Sequence, residues 1–359
     1  MGSISNKFIF ICWILLQILA VCFGHNVTAV FVFGDSLVEV GNNFYIDTLA
    51  QPVAPNGIDF PKGIPSGRYT NSRTIADIIE DELGFKDYSP PFLAPNTSGD
   101  LILKGVNYAS SGAGILQVTG SLFGERIWME KQLDDFAKTR KDIISRIGAP
   151  AAKALLRNSL YVLAIGANDI LFEANLEPFD EKSIFLDEVI SHFKSHLKRL
   201  YNLDARKILV SNVPKVGCIP LDLDLHLCAE GCVASINNLA KSYNSKLKSL
   251  LEDLTRSRPG SIFVYADIYA MTEDIINNYK SYGFDNADHA CCEVIGRHGG
   301  LIPCIGVSRV CPDRTKYVFW DPFHPTESAL LIASKRLFDG GLEYVSPINL
   351  RQLVNLARL

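Results

Sequence analysis

After residue 24 the chain has no apolar stretch approaching the roughly 20 residues needed to cross a bilayer, so nothing in that part reads as a membrane span. It has no basic excess: 35 Lys and Arg stand against 39 Asp and Glu, a formal charge of −4. That balance leaves no electrostatic footprint for a phosphate backbone and argues against a nucleic-acid partner. The local basic group Lys194, Lys198 and Arg199 falls at helical spacing and reads as a solvated helix face. There is no Gly/Ser linker, no low-complexity tract and no internal repeat, and the 17 prolines are scattered, so residues 25–359 read as a single domain. A Gly-x-Ser-x-Gly elbow is absent too, which removes the usual signature of one large class of serine hydrolases.

The first residues do contain an apolar run. Lys7 precedes a stretch from Phe8 to Phe23, interrupted by Gln17 and followed by small residues near Gly24. This pattern suits an export signal over residues 1–24, with a membrane anchor as the alternative. With the signal removed, the mature chain would begin near His25 and be secreted without a stable membrane anchor. Two N-x-[ST] triplets, at Asn26 and Asn96, agree with that compartment as glycosylation acceptors.

Nine cysteines are present, and Cys12 and Cys22 would leave with the signal. The other seven crowd toward the C-terminus as Cys218, Cys228 and Cys232, then Cys291, Cys292, Cys304 and Cys311. In an oxidising compartment this reads as local bridges stapling loops, with the connectivity open and one thiol left over, Cys228 being the choice within the first group. His226, Cys228 and Cys232 could be read as zinc ligands, but the matching second pair is missing and disulfides are preferred. No metal or organic cofactor is expected.

Short apolar runs alternate with longer amphipathic ones. Ala29 to Phe33, Gly105 to Tyr108, Leu160 to Ile165, Lys207 to Val210 and Ser261 to Tyr265 have strand character, and four of the five are nearly continuously apolar. Strands covered on both faces look like this. Between them, Arg73 to Leu83, Ile127 to Arg146, Asp180 to Leu203 and Asn237 to Arg256 carry apolar residues at three- and four-residue steps. The alternation predicts an α/β fold, a three-layer α/β/α sandwich on a parallel sheet of about five strands.

Open parallel sheets place chemistry beyond the carboxyl ends of their strands. Small and polar residues stand there: Gly34-Asp35-Ser36, Ser110-Ser111-Gly112 and Gly166-Ala167-Asn168-Asp169. Ser36 is the candidate nucleophile, although Gly-Asp-Ser is equally an ordinary turn. A serine needs a base with an orienting partner. His324 in Asp321-Pro322-Phe323-His324-Pro325 is the best placed of seven histidines, with Pro325 expected at the first position of a helix. The plain alternative makes Asp321 and His324 helix caps. His192 and His196 read as surface residues, and His289 and His298 as loop residues, none with a comparable partner. Gly112 could present an N–H and Asn168 an amide to a developing oxyanion, or they could be a turn glycine and a helix cap.

Together these segments resemble the plant-type GDSL esterases and lipases of the SGNH hydrolase superfamily. The resemblance runs from Phe33-Gly34-Asp35-Ser36-Leu37-Val38 through Gly41-Asn42-Asn43, Gly57-Ile58-Asp59-Phe60-Pro61, Gly67-Arg68-Tyr69-Thr70-Asn71 and Val106-Asn107-Tyr108-Ala109-Ser110. It continues with Gly112 to Leu116, Gly166-Ala167-Asn168-Asp169, Asn212-Val213-Pro214, Gly217-Cys218-Ile219-Pro220 and Trp320 to Glu327, in the family's order. Glu39 stands where Asp is usual, and Ser72 and Ser111 where Gly is frequent; Ser111 adjoins Gly112 and could narrow the site. The resemblance implies a flavodoxin-like sheet, Ser36 as nucleophile, His324 as base held by Asp321, and Gly112 and Asn168 as oxyanion donors beside the Ser36 N–H. It implies a carboxylic ester substrate, either a lipid or an acylated small molecule or wall polymer. Acyl transfer, polysaccharide deacetylation by the same residues, and an inactive secreted binding protein are the competing readings.

Overall fold

Five apolar runs lie side by side in the computed structural model, which describes residues 27–64, 66–176, 182–226 and 231–356. They form β1 (Val30–Gly34), β2 (Gly105–Asn107), β3 (Leu160–Ala164), β4 (Lys207–Ser211) and β5 (Ile262–Ala266). All four pairings among them are parallel, in the order β2-β1-β3-β4-β5, which is the flavodoxin-like arrangement. A sixth strand, Val345–Ser346, joins β5 antiparallel at the edge. The expectation was about five strands. Two residues cannot display a period, so this edge strand leaves no sequence signature.

Successive side chains of the strands enter different cores. Phe31, Phe33, Tyr161, Leu163, Ile208 and Val210 pack into one cluster with Leu133, Phe136, Phe193, Leu197, Tyr243 and Leu247. Those partners come from α2 (Met129–Ile147), α5 (Lys182–Asn202) and α7 (Ala234–Ser257), which follow α1 (Ile75–Glu82), α3 (Ala149–Arg157), α4 (Ala167–Leu176) and α6 (Pro220–Leu225) in the numbering. Val30, Val32, Val162, Leu209 and Val264 face the opposite way, onto Ile79 of α1, Met271 of α8 (Ile268–Asn277), Leu337 of α9 (Glu327–Asp339) and Leu353 of α10 (Leu350–Asn355). The sandwich therefore has helices on both faces, as the sequence pattern predicts. The four expected long helices are present with ends shifted by a few residues; the proposed start at Asp180 lies outside the described residues, and α3, α6, α8 and α10 have no counterpart in the sequence reading.

Between α8 and α9 the chain leaves the main sheet and builds a small annex. β6 (Asn286–Ala290) pairs with β9 (Tyr317–Phe319), and β7 (Cys292–Glu293) pairs with β8 (Arg309–Val310). Disulfides join Cys291 to Cys311 and Cys292 to Cys304 here, and Cys218 to Cys232 elsewhere. These are the local bridges expected from the cysteine spacing; Cys228, Asn26 and residues 1–24 lie outside the described residues. No helix among the described residues is long and apolar enough to cross a membrane.

Candidate active site

β1 delivers Ser36 to the sheet's switch point, where the strand order reverses between β1 and β3. Gly34 ends the strand against its neighbour: a Cβ there would lie 2.3 Å from the Ala164 carbonyl oxygen, so only glycine permits the approach. Gln132 of α2 clamps the same residue, accepting from Gly34 N at 2.9 Å and donating to Gly34 O at 2.7 Å. Leu37 N donates to Asp35 Oδ1 at 3.0 Å, while Val38 N and Glu39 N donate to Asp35 O. Ser36 is thus held at the apex of a turn fixed on both sides.

His324 arrives from β9 through the turn 320–325. Trp320 N donates to His324 O at 2.8 Å, and buried Trp320 donates its indole N–H to Asn56 Oδ1 at 2.8 Å. The segment 69–71 braces the far side: Tyr69 packs its ring 5.2 Å from the imidazole, Thr70 donates to Pro325 O, and Asn71 accepts from Glu327 N at 2.9 Å. Here one sequence expectation is corrected. Helix α9 begins at Glu327 with Thr326 as its cap, accepting from Ala329 N, so Pro325 is not its first residue and neither Asp321 nor His324 caps it. Thr326 is the better cap, and Pro325 is engaged in a bridge with Phe319 instead.

The two sides meet. His324 Nε2 lies 2.8 Å from Ser36 Oγ, across 288 positions of sequence. His324 Nδ1 lies 2.9 and 2.8 Å from the two Asp321 oxygens, and Asp321 Oδ1 also accepts from Phe323 N and His324 N. A carboxylate can only accept, so Nδ1 carries the proton and Nε2 is left to accept from the serine hydroxyl. Asp321 is 3% and His324 7% exposed, so the contact between them is largely screened from water, while Ser36 faces the cleft.

Gly112 and Asn168 line the same cleft as Ser36 and His324, a cavity of about 470 Å³. Gly112 has φ +75°, a left-handed conformation that suits glycine, and Asn168 Nδ2 donates to Ala113 O at 2.9 Å, tying the two loops together. The backbone N–H groups of Ser36 and Gly112 take no partner among the described residues. Ser111 also lines the cleft.

Three buried carboxylates stand in or beside the motifs but have roles the motifs do not reveal. Glu39 accepts from Asn43 N at 2.7 Å and Ser111 N at 2.6 Å, holding the residue before Gly112. Asp169 accepts from Ile115 N, Leu116 N and the Thr119 hydroxyl, holding the stretch after it. Burial pushes Asp35 up to about 7 and Glu39 up to about 8; burial raises Asp169 as well, against the hydrogen bonds from Thr119, Ile115 and Leu116. Their presence among apolar neighbours was the available signal, since a buried carboxylate needs donors.

The other described histidines lie apart from this cluster. His196 is buried, not on the surface as its spacing suggests, and burial pushes it down to about 4. His289 does have a carboxylate partner, Glu293 at 2.6 Å, but that carboxylate also holds Arg309. Asn96 sits exposed in a turn.

The family model for GDSL-like lipase/acylhydrolases matches residues 30–337. Among curated proteins, one Arabidopsis thaliana GDSL esterase/lipase is 49% identical, covering 97% of this chain and 98% of its own. Another from the same plant is 46% identical and covers 91% of each. Among solved structures, a catalytic mutant of an acetylxylan esterase from Geobacillus stearothermophilus is 14% identical with a TM-score of 0.40, covering 86% of this chain and 91% of that one; a likeness so slight carries no part of the argument. The family match over most of the chain and the two plant relatives are decisive: the chain belongs to the GDSL-like lipase/acylhydrolase family, and ester hydrolysis is its class of chemistry.

Proposed function

We propose that the protein is a secreted serine esterase or lipase that works through Ser36, His324 and Asp321 and an acyl-enzyme. The observation that carries this reading is the 2.8 Å contact between Ser36 Oγ and His324 Nε2, with Nδ1 held on Asp321. His324 takes the serine proton as Oγ bonds to the ester carbonyl carbon, and the carbonyl oxygen becomes an oxyanion. The N–H groups of Ser36 and Gly112 and the Asn168 amide receive it. The imidazolium then protonates the departing alkoxide as the C–O bond breaks. Water repeats the sequence, giving its proton to His324 and releasing the carboxylic acid.

Secretion is the part of the reading that rests on the leading residues 1–24, on the sequons at Asn26 and Asn96, and on three disulfides that suit an oxidising compartment. Substitution Ser36→Ala should abolish turnover of p-nitrophenyl acetate and labelling by a fluorophosphonate while leaving the melting curve in place. Retained turnover in that variant would overturn the assignment. Amino-terminal sequencing of the exported protein should begin near His25.

A further inference from the structure

Helix α9 carries Ala329 and Ala333 one turn apart, where larger residues would close the core. Two apolar clusters meet at this helix without merging: one contains Ile79, Val162, Met271, Ala333 and Leu337, the other Ile219, Ile275, Phe319 and Ala329. Between them lies a second cavity of about 110 Å³, with the C-terminal ends of β3, β4 and β5 as its floor. Its walls are almost entirely apolar, and an apolar cavity of ~150 Å³ is known to stay dry and take a hydrocarbon guest.

This cavity adjoins the cleft around Ser36. Leu37, Pro214, Ile219 and Phe323 line both, and Leu37 and Phe323 are the chain neighbours of Ser36 and His324. Leu37, Pro214 and Phe323 are only half-buried, so the partition is made of side chains that touch open space. We propose that the cavity receives the first few methylenes of the substrate's acyl chain, which makes short- to medium-chain carboxylic esters preferred over acetates. The inference rests on the serine esterase reading above and specifies its substrate. The acyl group, not the alcohol, is the occupant for a mechanistic reason. The alcohol must leave to solvent and water must enter before the second step, which the wider cleft allows, whereas the acyl group stays bonded to Ser36 throughout.

The test is a series of p-nitrophenyl esters from acetate to palmitate, with alkyl acetates of matching length as the second arm. In the wild type, kcat/KM should climb about fourfold per methylene that enters the cavity and then level off. Ala333→Leu, which fills the cavity, should leave p-nitrophenyl acetate within about twofold and cut decanoate by ten- to a hundredfold, two to three methylenes' worth. A wild-type series that is flat in acyl length overturns the proposal even if the variant does not fold. So does an Ala333→Leu effect equal on all acyl lengths, or one confined to the alkyl acetates, which would place the alcohol there. Loss of turnover on every ester in the wild type instead sinks the esterase reading, and the acyl site with it; an active acetate ester with a flat series sinks the acyl site alone.

Discussion

The Ser36 side of the cleft and the His324 side are built in different ways. Ser36 hangs from β1, the interior strand between β2 and β3; its turn is braced by Gln132 of α2 and by its own Asp35, while Glu39 and Asp169 brace the neighbouring loop that carries Gly112. His324 and Asp321 belong to no strand of the main sheet. They follow the annex of short strands and are held by two disulfides upstream and by the 69–71 segment alongside. A strand shared by two neighbours has its end positioned by the ladder, and a few side-chain hydrogen bonds complete the turn. A long irregular segment has to be cross-linked before it can present one imidazole within hydrogen-bond reach.

The contrast predicts where the machine breaks. The largest effect should come from Asp321→Asn: with its oxygen kept by Phe323 N and His324 N, the new amide NH₂ faces Nδ1 as a donor and favours the wrong tautomer; kcat should fall on the order of 10⁴-fold with the fold intact. Steady-state kinetics beside circular dichroism will check it. Next, Cys292→Ser with Cys304→Ser should cost about 2–5 kcal/mol, and amide exchange should rise across residues 286–326 while β1 keeps its protection. Equal loosening of both regions would erase the distinction between them.

On the Ser36 side, Glu39→Gln keeps one acceptor for the two amides that Glu39 now serves. The loop carrying Gly112 should shift, and kcat for a short ester should drop about tenfold with KM little changed, the pattern of an interaction made only in the transition state. The smallest effect concerns pH. Glu80 lies under β1, accepts from Ser89 N and from the Ser89 hydroxyl, and is pushed up by burial to about 8; Asp35 and Glu39 are raised to about 7 and 8. A folded pKa above the unfolded one means that the native state holds the proton more tightly. Stability from these groups is therefore full below the unfolded carboxylate range and is lost as pH climbs toward 8. The melting temperature should be higher at pH 5 than at pH 8, and Glu80→Gln, which mimics the protonated acid, should shrink that difference by a few degrees.

The placement of the candidate site is largely legible in the sequence, because its residues stand where strands end. Ser36, Gly112 and Asn168 each follow an apolar run, and the stiff Asp321–Pro325 stretch marks itself by its two prolines. What failed was local and explicable. Pro325 looked like a helix start because nothing in the sequence shows its bridge to Phe319, and His196 looked exposed because its helix carries lysines on either side. His289 looked unpartnered because Glu293 reaches it only through the turn of the annex.

The sequence alone determined the layers: continuous apolar runs demand cover on both faces, and their alternation with amphipathic segments demands parallel strands. It also determined the residue types at each strand's carboxyl end. Tertiary structure alone decided which cysteines pair, that Glu39 and Asp169 grip the loop around Gly112, and that a gap survives beneath Ala329 and Ala333. The reason is one of range. A residue's neighbours in sequence record how deeply its own element is buried, whereas a hydrogen bond or a void between elements a hundred residues apart depends on how those elements pack, and no local period encodes that.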